Sequence, residues 1–191
     1  MSVNSTLFQT INDLGKDFPF INPLFIFLAE YMLYFLALFL LIFWFTRIYH
    51  NRLMVIQAAL SFILAECFGK LVSTLHSNYQ PFVELKDVNL LIVKEVNNSF
   101  PSDHTIVFFS ICVSFALMRK HQWYIWLPLA GLVGLSRIWV GVHYPADVAV
   151  GALLATLAAL IMYRITPHLR LVRLSLEKYS QFENKVFRIN N

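Results

Sequence analysis

From Leu24 to Phe45 the chain runs through 22 residues whose only charge is Glu30. A helix of about 20 apolar residues, rising about 1.5 Å per residue, crosses a hydrocarbon core of about 30 Å. This run therefore predicts a membrane span, and whatever packs beside it must satisfy the same solvent. Leu53 to Val72, Trp123 to Val142 and Val148 to Ile165 are further runs of the same kind. A fifth, Thr105 to Met118, would extend only about 21 Å. It crosses only if its start is sunk in protein or in a wet cavity. Hydrophobic residues make up 58% of the chain and charged ones 14%, against a charged share of about 25% in soluble domains. The expected fold class is an all-α integral membrane protein. It should be a single domain over residues 1–191, a bundle of about five transmembrane helices with no room for a separate soluble unit.

Ahead of the first span, Leu7, Phe8, Ile11 and Leu14 recur at helical spacing, with Asn4 to Thr6 as caps and Gly15 as a stop. This predicts a short interfacial helix within residues 1–20, the alternative being a half-ordered terminus. No cationic start, apolar core and small-residue cleavage site precede residue 20, so no removable signal peptide is expected. Cys67 and Cys112 lie inside apolar runs and read as small hydrophobes rather than a disulfide pair.

Orientation follows from the basic residues beside the spans, because Lys and Arg are enriched in cytoplasmic loops. With five spans, Arg47 and Arg52, Arg119 and Lys120, and Arg164, Arg170 and Arg173 all fall on one side. That side is expected to be the cytoplasm. The N-terminus, the long segment 73–104 and the turn His143 to Asp147 are then outside. Within the outer segment, Val83 to Val96 fits either an amphipathic lip on the membrane or a disordered loop. The tail, 166–191, alternates basic and apolar residues from Arg170 to Arg188, which fits an interfacial helix drawn to anionic lipid or a solvated tail. The small excess of 15 Lys+Arg over 11 Asp+Glu gives no reason to expect a nucleic-acid partner.

Ionisable residues within spans are costly and usually mark function. Glu30, Glu66, Lys70 and Arg137 all fall in the outward halves of their helices. Glu66 and Lys70 are one turn apart, and a mutual ion pair is the bland alternative for them. Arg137 has no local carboxylate, so an anionic ligand is its most economical partner. Pro101, Ser102, Asp103 and His104 immediately precede the short span, where free backbone N–H groups and the helix dipole favour an anion. Asp147 follows His143 by four residues, with Pro145 suited to a first helical turn, so the carboxylate can reach and orient the imidazole. Arg137 and His143, six apart, would point to nearly opposite sides of an unbroken helix, so a break is required and Gly141 is the candidate. Each feature alone more often marks a cap or an interface anchor. Together on one side of the membrane they supply a nucleophile, its orienting base, an acid and donors for phosphate.

The runs Pro101-Ser102-Asp103-His104 and Ser136-Arg137 through His143 to Asp147 resemble the second and third signature motifs of the type-2 phosphatidic acid phosphatase superfamily. The whole chain, small and without a soluble domain, is similar to the bacitracin-resistance type of undecaprenyl-diphosphatase. The resemblance implies that His143 attacks phosphorus, Asp147 orients it and His104 protonates the leaving group, while Ser102, Arg137 and Lys70 hold phosphate oxygens. Asp103 stands where the family usually has Gly, placing a carboxylate beside the anion site. In the first motif Lys70 is followed by nine residues before Gln80-Pro81, with Gln80 where Arg is usual, and Gln80 is taken as its phosphate-binding counterpart. His76, between them, is read as a surface histidine, with contact to a diphosphate as the alternative. No metal or cofactor is implied. The implied partners are the bacterial membrane and a lipid diphosphate on its outer face. A phosphatidylglycerophosphate phosphatase would share all these residues, and a small membrane transporter is the rival of a different class. The sequence sets no oligomeric state.

Overall fold

The computed structural model describes residues 2–186, all of them helix or connecting loop. The principal helices are α1 (Val3–Asp17), α2 (Asn22–Glu30), α3 (Met32–Phe45), α4 (Tyr49–Leu75), α5 (Pro81–Glu84), α6 (Asp103–Met118), α7 (Trp123–Trp139), α8 (Pro145–Ile165) and α9 (Arg170–Val186). The all-helical expectation holds, and the membrane-type helices differ from one another in an instructive way. Only α4 and α8, the latter with the turn that follows it to His168, are long and apolar enough to cross alone. The first predicted span is broken, α2 and α3 meeting at a bend of 48°. A break in an apolar run needs partners for the backbone groups it releases. Here the Ala29 carbonyl, just before the bend, accepts a hydrogen bond from Arg137 Nη1 at 2.8 Å.

The short helix α6 is the axis of the bundle. Ten of its 16 residues are buried, because α4, α7 and α8 surround it and protein replaces lipid on most of its faces. Phe108, Ile111, Cys112 and Phe115 pack against Met54, Ala58, Ala130 and Val133. Its first turn is sunk as expected, Ser102 and Thr105 being fully buried. Helix association inside a membrane relies on close backbone approach at small residues. Along α8 these are Gly151, Ala155, Ala158 and Ala159. A Cβ on Gly151 would come within 3.0 Å of the Ser102 carbonyl oxygen, so α8 fixes the entry to α6.

The N-terminal segment is helical, but docked on protein rather than only resting at an interface. Its cap is Ser2, whose Oγ accepts from Ser5 N–H at 3.2 Å, ahead of the expected Asn4 to Thr6. Phe8 is fully buried and meets Tyr144 edge-on. Asn12 Nδ2 donates to the carbonyls of Trp139 (2.8 Å) and Asn89 (3.0 Å). Gly15 does not stop the helix, which continues to Asp17. Its role is close approach, since a Cβ there would stand 2.5 Å from Asn89 Nδ2.

The long segment 73–104, expected to lie outside, is neither a lip helix nor detached. Beyond α5 it is irregular, yet Leu91 N–H bonds to the Val140 carbonyl and Ile92 is buried with Phe25 and Trp139. The tail forms α9 and packs on the start of α4, with Glu183 buried against Arg52 and Arg47. Arg188 lies outside the described residues. Cys67 and Cys112 are both free, Cys112 buried and Cys67 exposed.

Candidate active site

Helix α7 ends at Trp139, and the chain turns sharply at Gly141, whose φ is +90°. That is a conformation most side chains disfavour, and a Cβ there would also press within 3.0 Å of the Asn89 carbonyl oxygen. The turn brings the backbone N–H groups of Val142 and His143 to the Arg137 carbonyl, each at 3.2 Å. The break expected from the spacing is present, and it folds His143 back beside the arginine that precedes it by six residues. Helix α8 then starts at Pro145, and Asp147 in its first turn accepts the Tyr144 N–H at Oδ2 (2.9 Å). The same carboxylate oxygen accepts the Ser99 hydroxyl at 2.6 Å.

His143 Nδ1 faces three acceptors: the Ser99 carbonyl (3.0 Å), Ser99 Oγ (3.1 Å) and Asp147 Oδ2 (3.7 Å). The Ser99 hydroxyl proton is already committed to Asp147. The imidazole proton therefore sits on Nδ1, and the lone pair on Nε2, which has no partner among the described residues. Burial, first, holds the His143 pKa below the ordinary histidine value, and the charges of Arg137 and Lys94 act in the same direction. The hydrogen bond and charge of Asp147 oppose this. The result is a neutral, oriented imidazole at neutral pH, the form that nucleophilic attack by nitrogen requires.

Arg137 is 2% exposed. Nη1 is held by the Ala29 carbonyl, whereas the buried Nε has no hydrogen-bond partner among the described residues. Together with His104 and Lys94 it lines an open cavity of about 400 Å³, to which Glu30, Tyr31 and Tyr34 also contribute. Ser102 caps α6. Its N–H donates to the Asp147 carbonyl at 3.2 Å, joining the two motif segments, and its Oγ accepts from Thr105 at 3.0 Å while keeping its own proton to give. Asp103 follows it, exposed in the first turn of α6.

The first-motif residues do not line this cavity. Lys70 is exposed on α4, does not line this cavity and makes no ion pair with Glu66 within 4.0 Å. Gln80 is fully buried, and both ends of its amide are used inside the outer segment. Nε2 donates to the Glu95 carbonyl (3.1 Å) and to Asn97 Oδ1, and Oε1 accepts from Asn97 N–H (3.2 Å). It clamps the loop and has no donor left for a phosphate. His76 is exposed and meets Phe100 edge-on.

Two residues of the site were missed in the sequence. Ser99 sits in a loop of irregular backbone with no motif around it, and only the fold brings it to His143 and Asp147. Lys94 lies in the stretch read as lip or loop, 43 residues before Arg137 in the chain. A lysine at the end of the apolar run Leu90 to Val93, followed directly by Glu95, carries no specific signal in the sequence. At the opposite end of the bundle a cavity of about 430 Å³ is lined by Arg119, Lys120 and His121, without a carboxylate to orient a nucleophile. Among the described residues no group of three His, Cys, Asp or Glu side chains is arranged to hold a metal ion.

Comparison with known proteins places this geometry in context. Residues 73–170 match the family model of the PAP2 superfamily. The chain is 52% identical over 184 residues to the bacitracin transport permease protein BcrC of Bacillus licheniformis, covering 96% of this chain and 91% of that one. It is 30% identical to the undecaprenyl-diphosphatase BcrC of Bacillus subtilis (strain 168), covering 96% and 95%. The crystal structure of Aquifex aeolicus LpxE is similar with a TM-score of 0.64 at 30% identity, covering 86% of this chain and 96% of that one.

Proposed function

This chain belongs to the PAP2 superfamily, and we propose that it is the membrane phosphatase that converts undecaprenyl diphosphate to undecaprenyl phosphate and inorganic phosphate. In that role it recycles the cell-wall carrier lipid and confers bacitracin resistance. The observation that carries the reading is the pairing of a pinned imidazole with buried positive charge that lacks an ion pair: His143 with its Nδ1 saturated, and Arg137 with a free Nε. The relatives agree in family but not in name, one being a transport permease protein and one an undecaprenyl-diphosphatase. Transport has no use for a tautomer fixed by Ser99 and Asp147. Hydrolysis does.

In the reaction, neutral His143 Nε2 attacks the terminal phosphorus. The bond from that phosphorus to the bridging oxygen breaks, and undecaprenyl phosphate departs with the electron pair, assisted by His104. The imidazolium of the phosphohistidine keeps its Nδ1 proton against the Ser99 carbonyl and Asp147. Water then attacks phosphorus, His104 takes its proton, and phosphate leaves Nε2. The transferred group carries its charge on the equatorial oxygens, so catalysis depends on positioned cations and donors. Arg137 and the Ser102 hydroxyl provide these at the nucleophile. Asp103, exposed at the start of α6, orients donors around them. Lys70, exposed on α4 one turn from Glu66 and outside the cavity lining, acts on the approaching headgroup.

The outer face of the bacterial membrane is the proposed location of the reaction. Its support is that Arg52 and Arg119 lie at the end of the bundle opposite His143, where their partners are Glu183 and Asn51. In a Cys67→Ser background, Leu90→Cys and Ala146→Cys should react with an impermeant thiol reagent on intact cells, and Lys120→Cys should not. The reverse pattern rejects the outer location. The activity is tested with purified protein in chelator, offered undecaprenyl diphosphate and phosphatidylglycerophosphate. Release of phosphate from the first at the greater kcat/KM supports the reading, and preference for the second replaces it with a phosphatidylglycerophosphate phosphatase.

A further inference from the structure

A diphosphate brings two phosphates to the site, and only the terminal one is attacked. The chemistry at His143, Arg137 and Ser102 accounts for that one. The cavity lined by Arg137 and His104 reaches the break between α2 and α3, where Tyr31 and Tyr34 are exposed and Val93 is 97% exposed; His143 and Ser102 are buried and do not line it. This is the side from which a lipid headgroup enters, since its neighbours are the apolar outer faces of α2 and α3. At this mouth stands Lys94.

Lys94 is held rather than dangling. Ile92, two residues before it, is buried among Phe25, Leu28 and Trp139. Glu95, one residue after it, has its carbonyl fixed by Gln80. Val93, between them, points outward. Lys94 lines the cavity with Arg137 and His104. The carboxylates of Glu30, Glu95 and Asp103 are in the neighbourhood, but none forms an ion pair with it within 4.0 Å, and its ammonium makes no hydrogen bond among the described residues. Burial, first, and the facing charge of Arg137 hold its pKa below the ordinary lysine value. A cation kept half-buried against another cation is stabilised by an anion bound between them.

We propose that Lys94 binds the lipid-side phosphate of the substrate, the one that is not attacked, and so selects diphosphates over monophosphates. The Gln80 clamp is the positioning device for this contact. The inference rests on the diphosphatase reading and deepens it. Removing one charge-assisted contact of this kind weakens binding by about 10- to 100-fold.

The test uses the full chain in detergent with a C15 prenyl diphosphate and the matching prenyl monophosphate. Lys94→Gln should lower kcat/KM for the diphosphate by about 10- to 100-fold, chiefly through KM, and for the monophosphate by less than about threefold. Lys94→Arg should restore most of the loss. Gln80→Ala, which frees the loop and keeps the lysine, should reproduce the selective loss in milder form. Equal losses on both substrates, or no loss on either, would overturn the role of Lys94. Binding gives a readout independent of turnover: Lys94→Gln should weaken a prenyl methylenediphosphonate and not a prenyl phosphonate, and unchanged affinity for the former overturns the proposal. If wild type binds the methylenediphosphonate through Lys94 but hydrolyses no diphosphate, the proposed function fails while this contact stands.

Discussion

The two ends of the bundle both bury arginine, and they treat it in opposite ways. At the basic end Arg52 is paired with Glu183 at 2.7 Å and lies over the ring of Tyr179 at 4.9 Å. Arg119 donates to Asn51 at 2.6 Å and lies over Phe43, although its buried Nε has no hydrogen-bond partner among the described residues. At the other end Arg137 donates to a backbone carbonyl, keeps a buried Nε without a hydrogen-bond partner among the described residues, and shares its cavity with a second cation, Lys94; the nearby carboxylates of Glu30 and Asp103 form no ion pair with it within 4.0 Å. Charges closed on the chain itself hold helices together, here α9 to α4. Charges left open hold a ligand. The comparison also separates two kinds of cost: removing one partner of a buried pair strands the other, whereas removing an open charge strands nothing until substrate arrives.

The comparison is broken or sharpened most strongly by His143→Ala, which should lower turnover by roughly 10⁴-fold or more with the fold intact by thermal melting. Retained turnover would show that the open end serves something other than nucleophilic attack. Next in size is the exchange between the two arginines. Arg137→Ala should cost about 10² to 10³ in kcat, as loss of a positioned transition-state donor does, with little change in Tm. Arg52→Ala should do the reverse, lowering stability by up to about 3–5 kcal/mol, toward the lower end because Arg47 still faces Glu183 at 3.1 Å. Its turnover per folded molecule should be unchanged. If the two variants trade patterns, the distinction between closed and open charge is wrong.

Ser99→Ala is expected to have a smaller effect, about tenfold in kcat, because one hydrogen bond to Asp147 is lost while the Ser99 carbonyl still holds Nδ1. The smallest signal is a titration. Because burial lowers the His143 pKa, the imidazole should stay neutral as pH falls through the ordinary histidine value of about 6.5, and protonate only below it. Its ring-carbon NMR resonance, assigned by disappearance in His143→Ala, reads this directly. Since the unfolded chain takes up that proton at a higher pH, acid should also reduce stability as pH drops through the unfolded value. A His143 titration at or above about 6.5 would contradict the environment described.

Much of this was legible in the sequence where the requirement is local. The short span from Thr105 announced a sunken start, and Ser102 is buried at it. An offset of six from Arg137 to His143 demands a break, and Gly141 provides it. An offset of four from His143 to Asp147 places a carboxylate within reach of the ring. What did not show was set by contacts between distant segments. Ser99 reaches the ring only because its loop passes over the α7–α8 turn. Gln80 read as a phosphate ligand by its place in a motif, yet its amide is spent on Asn97 and Glu95. The cation that lines the cavity is Lys94, whereas Lys70, exposed on α4, is not among its lining residues. Gly15 carried a stop signal but serves close packing, because a small residue permits both and only its neighbours decide.

The central claim is that the open end positions a phosphate for transfer to His143. Rapid quench with undecaprenyl diphosphate radiolabelled in its terminal phosphate tests it most directly. The account predicts an acid-labile, base-stable label that maps to the peptide containing His143, appears before free phosphate, and is absent in His143→Ala. Turnover with no covalent label at any quench time, or a label on another residue, would contradict it.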